Sequence, residues 1–202
     1  MAKEYIISPY GFFTLNYEAV NVKDEEDTFE VEQNFSLWCY HATMDHDRYG
    51  VNQINENWDW TFDLIDKKGK CFATFNRHMD DLCSPEYYEV VKPGDNDESS
   101  EKSDESSCSS ERRNNTWLTI HEDQEWFEEP DFVFRNVERG DEARTVAKLS
   151  CVSTLCAQEY RLRISSSCRK NDIPTIVASS IIIIRLVERR RNQNSTAAST
   201  AA

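Results

Sequence analysis

Glycine and proline are scarce, five of each in 202 residues. Turns therefore fall partly to Asn and Asp, and neither a collagen-like repeat nor a Pro/Gly-rich low-complexity chain fits. Seven cysteines form an odd set with no CxxC pair. The first residues, MAKEYIISPYGFF, show no long apolar run of signal-peptide type. Reduced thiols and a cytoplasmic location are the resulting expectation. No Gly-rich phosphate loop, HExxH, GxSxG or DxDxDG pattern occurs, and no internal repeat is visible. Neither an enzyme nor a cofactor is expected on these grounds.

Long apolar runs are also lacking, with one exception to weigh. Ile173–Val187 (IPTIVASSIIIIRLV) is about 15 residues long and contains Pro174 and Arg185. A spanning helix needs roughly 20 mostly apolar residues. The β-branched run Ile181–Ile184 favours a buried strand, and no membrane partner is expected.

Hydrophobic residues make up 39% and charged ones 30%, with 5 Trp, 8 Tyr and 10 Phe. That suffices for one core of ordinary size. The net charge of −14 is uneven. Residues 1–92 hold 18 acids against 8 bases, and residues 159–202 hold 8 bases against 3 acids. An acidic body should repel nucleic acid, which is bound through phosphate neutralisation, so contact with it is left to the basic C-terminal end around Arg189–Arg191.

Period-2 alternation recurs along the chain. Phe62 and Leu64 oppose Asp63, Phe29 and Val31 oppose Glu30, and Tyr160, Leu162 and Ile164 oppose Arg161 and Arg163. Asp66-Lys-Lys-Gly69 reads as a hairpin turn. No window of 12 residues or more carries a convincing 3.6 period. The expected fold is all-β, an antiparallel β-sandwich of eight to ten strands, forming a single domain over residues 1–190. An insert at 94–115 has seven serines and no aliphatic or aromatic residue, so it is expected to be disordered, as is the tail 191–202.

Four groups of residues are candidate sites. His41, Asp45, His46 and Asp47 are candidate metal ligands, although their spacing matches no defined motif. The acidic clusters Asp24–Asp27, Asp45/Asp47 and Glu122/Asp123 are of the kind that converges on calcium in loops. Glu125, Trp126, Phe127 and Glu128 combine aromatic anchors with acids that would steer a basic protein partner. Ser99, Ser100 and Ser103 sit among acids in a setting that suits an acid-directed kinase.

Phe35-Ser-Leu-Trp-Cys39, Trp60–Asp66, Trp126-Phe127 followed by Phe132-Val-Phe-Arg135, and Arg144–Val152 together resemble MATH (TRAF-like) domains over residues 13–152. The resemblance implies an eight-stranded antiparallel sandwich that binds short segments of partner proteins.

The leading functional expectation is thus a non-enzymatic protein-binding module that uses a sheet edge or its exposed aromatic and acidic surface. One alternative is a structural, capsid-like sandwich of viral kind that self-associates. Another is a metal-binding enzyme built on His41, Asp45 and His46.

Overall fold

In the computed structural model, residues 2–10, 16–34, 40–50, 52–57, 61–78, 87–93, 116–123, 131–137, 143–153 and 158–200 are described. Twelve strands follow one another: β1 (Lys3–Tyr10), β2 (Asn16–Asn21), β3 (Asp24–Asn34), β4 (His41–Asp45), β5 (Asn52–Glu56), β6 (Phe62–Ile65), β7 (Cys71–His78), β8 (Tyr87–Val91), β9 (Thr116–Asp123), β10 (Asp131–Asn136), β11 (Arg144–Ser153) and β12 (Gln158–Ile164). Each pairs antiparallel with its neighbours in sequence, and β1 pairs with β12 through Lys3↔Ile164 to Ile7↔Tyr160. The sheet closes into a barrel.

The closed barrel replaces the expected open sandwich of eight to ten strands. The class, all-β walls with antiparallel pairing, is as expected. Closure rests on pairing between the first and last strands, Lys3 with Ile164, which alternation within a strand does not reveal. A closed barrel also removes the free edge strands that a sandwich would offer.

The alternation sets inside from outside as the sequence implied. Phe29 and Val31, Phe62 and Leu64, and Tyr160, Leu162 and Ile164 are all buried. Gly69 adopts φ +78° in the turn from Asp66, whose carbonyl accepts the Gly69 N–H at 2.9 Å. That left-handed conformation suits a residue without Cβ.

The second correction concerns Ile173–Val187. It forms not a strand but the buried part of a helix, α1 (Ile173–Thr200), entered through a 3-10 turn at Lys170–Asp172. Pro174 lies in its first turn, where a missing N–H costs nothing. Ile176, Val177, Ala178, Ile181, Ile182, Ile183 and Ile184 are at most 1% exposed, so the helix is enclosed on every side. The inward side chains of the twelve strands form one continuous core with it. The helix therefore runs through the lumen of the barrel. It also continues to Thr200, through most of the 191–202 tail that was expected to lack structure.

A helix that is apolar all round belongs in a core or a membrane. Here the barrel supplies the core, and none of the described helices is long and apolar enough to cross a membrane. Four bulges among the described residues, such as the one between Val20 and Asn21, adjust the twist of the wall.

Candidate functional site

The barrel has two ends and an outer wall. At the end where α1 begins, Asp27 sits on the inward face of β3 and is 1% exposed. Its Oδ2 accepts from Lys3 Nζ at 2.5 Å, Asn21 Nδ2 at 2.7 Å and the Tyr5 hydroxyl at 3.0 Å. His46 Nε2 lies 2.9 Å from Oδ1. The Arg48 backbone N–H donates to His46 Nδ1 at 2.9 Å, so Nε2 carries the proton that faces Asp27. Phe29 and Tyr49 pack on the imidazole, with ring centroids 4.2 and 4.7 Å away. Burial by itself would raise the Asp27 pKa, but the hydrogen bonds from Lys3, Asn21, His46 and Tyr5 together hold it well below the usual carboxylate range. Burial followed by the Asp27 charge pushes the Tyr5 hydroxyl far up. This network keeps one buried charge fully paired, and it fastens β1, β3 and the loop after β4 together at the rim.

At the opposite end, where α1 leaves the lumen, its polar residues reach the wall all round. The Tyr17 hydroxyl of β2 donates to Glu188 Oε2 at 2.6 Å. Arg189 pairs with Glu56 of β5 at 3.4 Å and Arg190 with Glu122 of β9 at 3.7 Å. The Arg185 guanidinium lies 5.2 Å from the Tyr40 ring centroid. Arg189 and Arg190 of the basic C-terminal run are thus engaged by carboxylates of their own barrel.

The outer wall of β2, β3 and β4 carries a different pattern. Glu18 is directly opposite Glu30, and Glu30 is directly opposite Asp45. Glu32, two residues along β3, adds a fourth carboxylate. Cross-strand neighbours lie about 5 Å apart at Cβ, and like charges so placed are destabilising. None of the four has an ion pair among the described residues. Burial, then the charges of Glu32, Glu30 and Glu18, raise the pKa of Tyr10 on adjacent β1. By contrast, Arg161 and Arg163 on the outer face of β12 pair with Glu4 at 3.3 and 3.4 Å.

The structure separates the four candidate metal ligands. His41 and Asp45 lie on the outer face of β4, and His41 Nδ1 is 3.0 Å from Asn55 Oδ1. His46 turns inward to Asp27, while Asp47 is exposed. Among the described residues no three His, Cys, Asp or Glu side chains are grouped to hold a metal ion. Of the three acidic clusters, Asp24–Asp27 and Asp45/Asp47 lie at the same end of the barrel, where Asp27 is buried and bound by His46 and Asp24 pairs with Arg48 at 3.2 Å, while Glu122 meets α1 at the far end. Glu125, Trp126, Phe127 and Glu128 lie outside the described residues, as do Ser99, Ser100 and Ser103.

Sequence reasoning missed the Asp27 network and the carboxylate row. The signal for the first was parity, since Asp27 is in phase with the inward Phe29 and Val31. The row needed strand register, which only the fold supplies. No protein-family model, curated protein or solved structure matches this chain.

Proposed function

We propose that the protein is a non-enzymatic interaction module whose β2–β4 outer wall takes a basic segment of a partner protein. The observation that carries this reading is the in-register row Glu18, Glu30 and Asp45. Adjacent carboxylates without counter-ions cost stability, and a cationic partner relieves that cost on docking. The lumen is occupied by α1, which supports a role carried on the outside of the barrel. Without free edges, recognition falls to wall side chains rather than to strand addition.

Titration of the intact protein with a labelled arginine-rich peptide tests the reading. Binding should weaken steeply as salt rises and should fall about tenfold or more in a Glu30→Lys variant. Equal binding by that variant, or binding indifferent to salt, would sink the proposal.

A further inference from the structure

The barrel mouth around the start of α1 holds a cavity of about 220 Å³. Its apolar lining comes from Trp117 and Leu118 of β9, Val146 of β11 and Ile176 of α1, each at most 5% exposed. Its rim carries Arg144 and Arg169 against one acid, Asp172. Lys92 adds positive charge, its Nζ lying 4.4 Å from the Trp117 ring centroid. Arg144 makes no ion pair among the described residues.

The cavity, at about 220 Å³, exceeds the roughly 150 Å³ that suffices for benzene in an engineered apolar site. Water alone would leave the apolar lining without contacts. A bare inorganic anion would answer Arg144 but not that lining. A small organic acid meets both requirements, with its carboxylate at the guanidinium and its apolar body against Val146 and Ile176.

We propose that this mouth cavity binds a small organic carboxylate with an apolar body of about benzoate size. The site lies away from the acidic β2–β4 wall and does not depend on its function. Because Ile176 belongs to α1, an occupant would bridge the wall and the helix it encloses.

Benzoate, benzyl alcohol and inorganic phosphate are suitable probes, read by the indole N–H resonance of Trp117 in the full chain. Benzoate should shift that resonance saturably, and benzyl alcohol and phosphate should each bind at least about tenfold more weakly. Arg144→Gln, a change at an exposed position, should weaken benzoate about tenfold or more and leave benzyl alcohol unchanged. Three results would each overturn the proposal: no saturable shift with benzoate, benzyl alcohol or phosphate binding as tightly as benzoate, or an Arg144→Gln variant that binds benzoate undiminished.

Discussion

The Tyr17 hydroxyl donates a 2.6 Å hydrogen bond to the Glu188 carboxylate, joining strand β2 to the helix inside the barrel. Burial raises the Glu188 pKa, and Tyr17, then Arg185 and Arg191, offset part of that rise. A carboxyl with a raised folded-state pKa holds more protons folded than unfolded. Stability is therefore lost as pH rises from the unfolded value through the folded one. Glu188→Gln should abolish that loss. In urea unfolding, the variant should gain on the wild type between pH 4 and pH 7. Tyr17→Phe should cost about 1 kcal/mol at neutral pH.

Asp27 has the opposite sign. Its pKa is depressed, so its contribution is present above the unfolded value and is lost as pH falls. Asp27→Asn should cost about 3 kcal/mol at pH 7, because Lys3 and its neighbours lose their buried counter-charge. The penalty should shrink as the medium is taken below about pH 4. A variant equally destabilised at pH 7 and pH 3 would contradict this account of the rim.

The helix is expected to tolerate truncation of its apolar side chains poorly. Ile182 is fully buried, so Ile182→Ala should lower stability by about 2–5 kcal/mol. Alanine is the better helix former, which makes the sign diagnostic: an exposed helix would gain from the same change. Chemical denaturation of the two proteins checks it.

Strands β8 and β9 pair directly, with Val91 opposite Thr116. A short turn is enough to connect them. Replacing residues 94–115 with such a turn should leave the barrel folded, with cooperative thermal unfolding close to that of the full chain. Loss of cooperativity would show that the segment contributes to the core.

Much of the wall was legible in the sequence. The alternation of Phe62 and Leu64 with Asp63 assigns the faces of β6 correctly, and that of Tyr160, Leu162 and Ile164 with Arg161 and Arg163 those of β12. Two features were hidden, each for a physical reason. Barrel closure depends on the first strand meeting the last, Lys3 with Ile164, and the same alternation serves an open sheet equally well. The helix was misread because periodicity identifies only a helix with one dry face. Ile176 to Ile184 is dry on all faces, so no 3.6 period appears, and four β-branched isoleucines lean locally toward a strand. Tertiary enclosure overrides that preference. Of the candidate sites, the acidic character of the surface was readable from charge counts, but the register that aligns Glu18, Glu30 and Asp45 was not.

The enclosure of α1 by the barrel is tested most directly by amide hydrogen exchange across Ile176–Leu186. These amides should exchange only through global unfolding, with protection equal to the free energy of unfolding measured by denaturant. Protection there well below that value, as in a helix that detaches while the strands stay paired, would contradict the account.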